Sequence, residues 1–272
     1  MSGSFEVTFL GTNGSCAYNS GKRTKYGTNT LCVAVKAGDS TLLFDSGSGI
    51  CGFPGLVDYQ NKHISLLFSH YHIDHFSGLL FYAQLFDKDM QFDIFGSGLN
   101  EDGFYSIVDH FLSPPLHPVG IDALQAKIDF HTIVAGQEIP LGPHVTVRTY
   151  GLSHPGGAIG YRVEYDGKAF CYCTDVELDK HQDDAGFLDF TRDADLLVLD
   201  AFFDDGKVIP DWGHSSWREC AEWASRVGAK RLALFHYGFM LTDSEIDAME
   251  EKAQTIFPGA FAAADHMRVV LL

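Results

Sequence analysis

Short apolar runs separated by polar, glycine-containing loops recur along the chain, and this pattern predicts a series of buried β-strands. The runs are rich in Val, Ile, Leu, Phe and Tyr, and most of them end at Gly, Asn, Asp or Ser, residues typical of turns. The predicted strands cover residues 5–10, 30–36, 41–44, 64–68, 91–95, 128–134, 145–151, 159–165, 169–173, 195–201, 230–235 and 267–271.

Four other segments place apolar residues at the spacing of one helix face. The predicted helices cover residues 76–86, 101–112, 217–227 and 242–257. Ser215 or Ser216 can cap the third helix, and the stretch from Thr242 to Glu245 has the form of a capping box for the fourth.

The segment 111–126 contains three prolines between residues 113 and 119, which cannot continue the preceding helix. We predict that this segment is a lid over a site or a loop that contacts a partner. His110 and His117 lie beside or within it, and we expect both to be surface or packing residues.

Strands that alternate with helices indicate an α/β fold. The 272 residues, 46% of them hydrophobic, are enough to bury one large core, and we expect a single domain over 1–272. The six cysteines are scattered and have no Cys-x-x-Cys spacing, which favours free thiols in a reducing compartment. The sequence contains no signal peptide and no apolar run of membrane-spanning length, so we expect a cytoplasmic protein without membrane contact.

The strand at 64–68 leads directly into a dense group of potential metal ligands, Ser69-His70-Tyr71-His72-Ile73-Asp74-His75. Imidazole nitrogen and carboxylate oxygen are donors that Zn²⁺, Mn²⁺ and Fe accept. An extended backbone sends the rings of His70 and His72 to one side. Asp74 and His75 can turn toward a second position, so this loop predicts a site for two metals.

Further potential ligands and proton carriers follow other predicted strands. Asp45, His154, Asp175, Asp200 and His236 each stand at a strand end. Open sheets place their sites at the carboxyl ends of strands, although Asp45 and His154, taken alone, also fit a turn. His214 lies at a loop edge just before the third predicted helix, where a capping neighbour without chemistry is the alternative.

The His-x-His-x-Asp-His motif after an apolar strand resembles the metallo-β-lactamase superfamily. Three more stretches, Leu10 to Ser15, Tyr26 to Thr30 and Leu42 to Gly49, are similar to the opening of its tRNase Z-like branch. That branch includes tRNase Z, the carbon-phosphorus-lyase-associated cyclic phosphodiesterase and cyclic-nucleotide phosphodiesterases. The resemblance runs from about Phe5 to the end of the chain. It implies a four-layer αββα sandwich, with two mixed sheets and helices on the outer faces.

The resemblance also implies roles for the strand-end residues. One metal would be bound by His70, His72 and His154, and the other by Asp74, His75 and His236, with Asp175 bridging the two. Asp45 would accept a hydrogen bond that orients a metal-binding histidine. Asp200 and His214 resemble the acid-then-histidine pair of the branch, in which Glu more commonly fills the first place. The loop 11–29 would frame the substrate.

The cofactors implied are two divalent metal ions, Zn or Mn, with Fe also compatible with these donors. The sequence does not indicate an oligomeric state, whereas the resemblance implies a homodimer. Open positions on the metals are typical of catalytic rather than structural sites.

The formal net charge of −17 argues against a long nucleic acid partner, because a phosphate backbone needs clustered Lys and Arg. We therefore predict a phosphodiesterase for small phosphodiesters, such as a cyclic nucleotide or cyclic phosphate, that uses a hydroxide between two metals. Asp74 would orient the hydroxide, and His214, held by Asp200, would donate a proton to the departing alkoxide.

Two alternatives stay open at this point. The first is a metallohydrolase of carboxylic ester, lactone or thioester substrates on the same metal site. The second is a metal-dependent ligand-binding or sensor protein without turnover, which Asp74 and Asp175 argue against. The assignment to a phosphodiester depends on the pair of His214 and Asp200, since metal ligands alone do not distinguish these substrates.

Overall fold

The computed structural model describes residues 3–57, 61–98, 103–142 and 144–272, and in these ranges the chain forms two seven-stranded sheets. The first sheet has the order β14 (Arg268–Val270), β1 (Phe5–Gly11), β2 (Cys32–Ala37), β3 (Ser40–Phe44), β4 (His63–Leu67), β5 (Gln91–Ser97) and β6 (Lys127–Ile133). The second has the order β13 (Ala260–Ala262), β12 (Leu232–Phe235), β11 (Leu196–Asp200), β10 (Lys168–Cys173), β9 (Ala158–Tyr165), β8 (Val145–Leu152) and β7 (Glu138–Pro140).

Both sheets are mixed. Strands β3 to β6 run parallel to one another in the first sheet, as do β10 to β13 in the second. The remaining neighbours are antiparallel. Parallel strands end at a common edge, and this edge carries the loops that hold the candidate site.

One large apolar cluster contains buried side chains from both sheets and therefore lies between them. Phe44 of β3 meets Tyr161 of β9 and Tyr172 of β10, with ring centroids 5.4 Å apart in both pairs. This interdigitation of aromatic side chains is what sheet-on-sheet packing requires.

On the outer faces of the sheets, helices pack against the strands through two further apolar clusters. The helices of the described ranges are α1 (Phe53–Leu56), α2 (Ile73–Phe76), α3 (Gly103–Phe111), α4 (Ala185–Thr191), α5 (Trp217–Arg226) and α6 (Asp243–Ile256). Ser216 with Glu219, and Thr242 with Glu245, form the capping boxes that begin α5 and α6. The predicted α/β sandwich with helices outside two mixed sheets is thus confirmed.

Each predicted strand has a counterpart, with ends shifted by a few residues at most. The short elements α4, β7 and β13 were not predicted, because three to seven residues are too few to show a period. The predicted helix at 101–112 is observed as α3, and its first two residues lie outside the described ranges.

The predicted helix at 76–86 is wrong. Residues 73–86 instead form α2 and two 3-10 turns, Ser77–Phe81 and Ala83–Phe86. The reason is competition for backbone groups: Ser46 N–H donates to the His75 carbonyl, and Gly78 N–H donates to the Ser46 carbonyl, each at 2.7 Å. These bonds replace the i to i+4 ladder that a continuous helix needs.

The segment 111–126 contains a single 3-10 turn, Ile121–Ala123, and its role as a lid or partner contact stays a prediction. None of the helices in the described ranges is long and apolar enough to span a bilayer.

Candidate metal centre

The loop after β4 presents the predicted ligands in two directions. His72 has an extended backbone (φ −64°, ψ 150°) and begins α2, and its ring centroid lies 4.4 Å from that of His70. Both rings therefore share one side, as predicted. One turn of α2 then points Asp74 and His75 into the protein, where both are buried.

Three other strand ends converge on this loop. His154 follows β8, Asp175 follows β10 and His236 follows β12. The nearest approaches are His154 Nε2 to His72 Nδ1 (3.2 Å), His75 Nε2 to Asp175 Oδ2 (3.0 Å) and His236 Nε2 to Asp175 Oδ1 (3.2 Å). The structure thus brings together side chains from both sheets.

The donor atoms fall into overlapping groups in which all atoms lie within 4.8 Å of one another. The groups are His70 with His72 and His154, Asp74 with His75 and His236, His70 with His75 and Asp175, and Asp175 with Asp200, His214 and His236. Asp175 lies between the first two groups, because its Oδ1 is 3.7 Å from His154 Nε2 and its Oδ2 is 3.0 Å from His75 Nε2. The seven predicted ligands are therefore close together, in the predicted division.

The buried ring nitrogens indicate whether these residues fit a cation. In the described part of the chain, Nε2 of His70, His75 and His236 is buried and makes no hydrogen bond of good geometry, although Asp175 oxygens lie 3.0 Å from that of His75 and 3.2 Å from that of His236. Buried polar atoms in proteins are otherwise nearly always satisfied. Ring nitrogens that lie among other donor atoms without making a hydrogen bond fit divalent cations at these positions.

The first donor group keeps its nitrogen lone pairs free of protons. Burial lowers the pKa of His70 well below its ordinary value, and the nearby His75 lowers it further. Burial also lowers the pKa of His72 and of His154. All three rings are therefore neutral at pH 7, the form that binds metals.

The histidines of the second group, in contrast, have raised pKa values. Burial opposes a charge on His75, but Asp175, Asp45 and Asp74 outweigh it and raise its pKa to about 10. Burial also opposes a charge on His236, but Asp175, Asp200 and Asp74 together outweigh it and raise its pKa well above its ordinary value. These carboxylates favour positive charge at the ring edges, which a proton or a divalent cation can supply.

Asp45 is fully buried and forms hydrogen bonds that hold residues 69–75, the metal loop, in place. It accepts the Ser69 backbone N–H (2.7 Å), the ring N–H at Nδ1 of His75 (2.8 Å) and the hydroxyl of Tyr172 (2.8 Å). The bond to His75 leaves Nε2 free to bind a cation. Asp45, Asp175 and His236 all adopt positive φ, a strained conformation that is common at functional sites.

His214 and Asp200 form the predicted pair. The His214 Nδ1 to Asp200 Oδ2 distance is 2.6 Å, so the shorter Asp side chain reaches the ring. Phe202 stacks on the imidazole, with ring centroids 4.5 Å apart and an angle of 14° between the planes. His236 also stacks on this imidazole, with ring centroids 4.9 Å apart, and its ring lies 5.7 Å from that of Phe202. The ring is therefore held in one orientation next to the candidate metal centre.

Three contributors were not identified from the sequence. Tyr172 is a strand residue whose partner, Asp45, lies in the other sheet. Ser15, in the loop 11–29, donates its backbone N–H to Asp74 Oδ2 (2.7 Å), so this loop lies beside the site as expected. Phe202 lies two residues after Asp200, and this closeness in sequence was the one available signal. His110 is exposed, and His117 bonds to the Val119 carbonyl instead of joining a donor group.

The sequence and fold match known proteins. A family model described as "Beta-lactamase superfamily domain" matches residues 41–237. Ribonuclease Z of Thermoplasma acidophilum is 24% identical to this chain, and the match covers 94% of each sequence.

Solved structures match the fold over nearly the whole chain. The metallo-β-lactamase fold protein YhfI from Bacillus subtilis has a TM-score of 0.74 and 20% identity, covering 98% of this chain and 99% of its own. A diphosphatase from the PhnP family has a TM-score of 0.68 and 18% identity, covering 97% of each chain.

Proposed function

Because this chain belongs to the beta-lactamase superfamily, as its motifs predicted, we propose that it is a metal-dependent phosphodiesterase for small phosphodiesters of the cyclic nucleotide or cyclic phosphate type. The observation that carries this proposal is the position of the His214–Asp200 pair, which lies beside seven convergent metal donors. His214 Nδ1 is 3.8 Å from Asp175 Oδ1, so the pair and the donors belong to one site.

We propose that His70, His72 and His154 hold one cation, that Asp74, His75 and His236 hold the other, and that Asp175 contacts both. Two divalent cations at these positions would supply the positive charge that activates water for attack and neutralises charge on the phosphoryl oxygens. The first donor group is the more accessible, since His72 is exposed, whereas Asp74, His75 and His236 are all buried. Substrate would therefore enter from that side.

Asp74 would orient the attacking water, and His214 would donate a proton to the leaving group. Ser15 N–H holds one oxygen of Asp74, which orients the carboxylate toward the attacking water. Asp200 accepts from Nδ1 of His214, so the ring in its protonated form would present its other N–H, at Nε2, to the leaving group. As water adds to phosphorus and the P–O bond to the leaving group breaks, this proton would pass to the departing oxygen.

The pair also supports a phosphodiester over a carboxylic substrate. An alkoxide leaving a phosphodiester is a poor leaving group, and a positioned acid contributes about 10²–10⁴ in rate for such a step. A lactone or thioester needs this proton less. The rate on carboxylic substrates should therefore not depend on His214.

Cleavage of RNA is the second candidate, and the ribonuclease Z relative favours it. The charge of this chain argues for a small substrate, because the sequence has 36 acidic residues and only 19 Lys and Arg. Long RNA is held largely by contacts between basic side chains and phosphates, whereas a small diester needs only the local positive charge of the site.

The decisive experiment is to strip the protein of metal, restore Zn or Mn, and compare five substrates. These are cyclic nucleotides, bis-p-nitrophenyl phosphate, a precursor tRNA, a lactone and a thioester. We expect turnover of the first two, its loss in Asp175→Asn and normal activity in His110→Asn, which changes an exposed histidine outside the donor groups. Preferential cleavage of the precursor tRNA would establish the second candidate. Turnover of only the lactone or thioester, or binding without any product, would reject both.

A further inference from the structure

Glu177 is a buried side chain, 5% exposed, that belongs to none of the donor groups in the described part of the chain. It lies two residues after Asp175, and its carboxyl group points at the backbone of another loop. Its Oε2 is 3.1 Å from the backbone N of Asp211 and 3.4 Å from that of Gly213, and its Oε1 is 3.3 Å from Asp211 N. One carboxyl group thus holds the two N–H groups that precede His214 on its loop.

The same loop is tied to the candidate metal centre at two more points. The Gly213 carbonyl accepts from Nδ1 of His154 at 2.9 Å. Gly213 has φ +77°, and a Cβ at this position would lie 2.3 Å from His154 Nδ1. Ser215 Oγ donates to the Val176 carbonyl (2.7 Å) and accepts from Leu178 N–H (2.9 Å). The loop therefore sits in one close-fitting position.

We propose that Glu177 is a positioning residue for His214. By fixing the backbone at Asp211 and Gly213, it sets where the imidazole stands relative to Asp200 and to the leaving group. This inference rests on the proposed function, in which His214 is the acid. A displacement of about 1 Å at a catalytic group can cost on the order of 10²-fold in rate, so one buried carboxyl group can matter without touching substrate.

Glu177→Gln and a matched control test this role. Gln has nearly the same size, but it replaces one acceptor oxygen with an NH₂ group that faces the backbone N–H groups. The control is Asp211→Asn, whose side chain is 83% exposed. Asp211 has φ +65°, which Asn tolerates, so this variant keeps the backbone and removes the charge that Asp211 presents to Lys180, whose Nζ also lies 3.4 Å from Glu177 Oε2.

The readout in the Zn-loaded protein is the dependence of kcat/KM on the leaving group. Bis-p-nitrophenyl phosphate releases a stable phenolate, whereas diphenyl phosphate releases a poorer leaving group that needs the proton. We expect Glu177→Gln to lower kcat/KM at least about tenfold for diphenyl phosphate and less than about threefold for bis-p-nitrophenyl phosphate. Asp211→Asn should keep the wild-type kcat/KM on both diesters. In a protein that already carries His214→Ala, adding Glu177→Gln should lower kcat/KM no further. An equal loss on both diesters would overturn the proposal.

A second measurement does not depend on turnover. The proton between His214 Nδ1 and Asp200 should give a downfield NMR signal, assigned by its absence in His214→Ala. We expect it to shift or broaden in Glu177→Gln and to persist in Asp211→Asn. An unchanged signal in Glu177→Gln would overturn the proposal. If the wild-type protein cleaves no diester, the proposed function fails, and this signal alone decides the role of Glu177.

Discussion

Single side chains in this protein connect parts of the chain that are far apart in sequence. Asp45 is the clearest case, since it receives hydrogen bonds from Ser69 and His75 of the metal loop and from Tyr172 of the opposite sheet. A buried carboxylate with several donors has little freedom to move. The orientation of His75 is therefore set by residues that do not themselves reach the candidate metal centre.

Tyr172→Phe should weaken metal binding by about tenfold, because partners that orient a metal-binding histidine typically contribute 10–100-fold to affinity. Competition with a chromophoric chelator measures this change. Tyr165→Phe is the matched control, because Tyr165 is also buried and its hydroxyl contacts Gly3 instead of the site. Equal affinities for the two variants would mean that the Tyr172 hydroxyl does not support the centre.

Metal affinity should rise with pH around neutrality. The pKa of His75 is about 10 and that of His236 is also raised, so both rings carry protons at pH 7 that a cation must displace. Displacement of a proton becomes easier as pH rises, and the affinity gains up to about tenfold per pH unit for each proton released. Calorimetry of Zn binding in buffers of different ionisation enthalpy counts the released protons, and a count of zero would contradict this protonation pattern.

At the scale of elements, the hydrogen bonds that hold the metal loop also interrupt the helix predicted after it. Residues 76–86 have the apolar spacing of a continuous helix, yet Ser46 forms hydrogen bonds with the backbone of His75 and Gly78. Gly78 allows this approach, because a Cβ at this position would lie 2.1 Å from the Gly47 carbonyl oxygen. The strand-end turn at 45–47 and the metal loop are thereby locked to each other.

Gly78→Ala should lower the free energy of unfolding by about 1–3 kcal/mol, the usual cost of overpacking a buried site. Urea unfolding gives this value directly. Gly55→Ala is the control, because Gly55 lies in α1 with no atom near the added Cβ, and Ala there should be neutral or slightly stabilising. Similar effects of the two substitutions would show that close packing at Gly78 is not what breaks the helix.

At the scale of the whole molecule, the candidate metal centre lies across the two sheets. His70 to His75 follow β4 of the first sheet, whereas His154, Asp175 and His236 follow β8, β10 and β12 of the second. An ion held by both sets links the sheets at one edge. The unfolded chain has no such arrangement of donors, so bound metal stabilises the folded state.

Chelation should therefore lower the thermal midpoint of the metal-loaded protein. At a free metal concentration of about 100 times Kd, the loss of stabilisation is about 2.7 kcal/mol for one site. Calorimetric scans with and without chelator measure the shift. Asp175→Ala, which lacks the proposed bridging ligand, should show a much smaller difference, and an equal shift in both proteins would place the stabilising ion elsewhere.

The sequence by itself determined the class of fold and the predicted donors. Strands show an alternating or continuous apolar pattern, and a ligand-rich loop after a buried strand is a local signal, so both can be found without knowledge of long-range contacts. The capping boxes at Ser216 and Thr242 are local for the same reason, since each is completed within four residues.

Only the tertiary structure decided which groups meet. The bond of Tyr172 to Asp45 joins residues 127 positions apart, and Glu177 reaches the loop before His214 across 34 and 36 positions. The helix predicted at 76–86 is broken by a backbone some thirty residues earlier, which no local pattern reveals. Hydrogen bonds and steric contacts act between neighbours in space, whereas periodicity reports only neighbours along the chain. The ligand loops were therefore predictable, and the side chains that orient them were not.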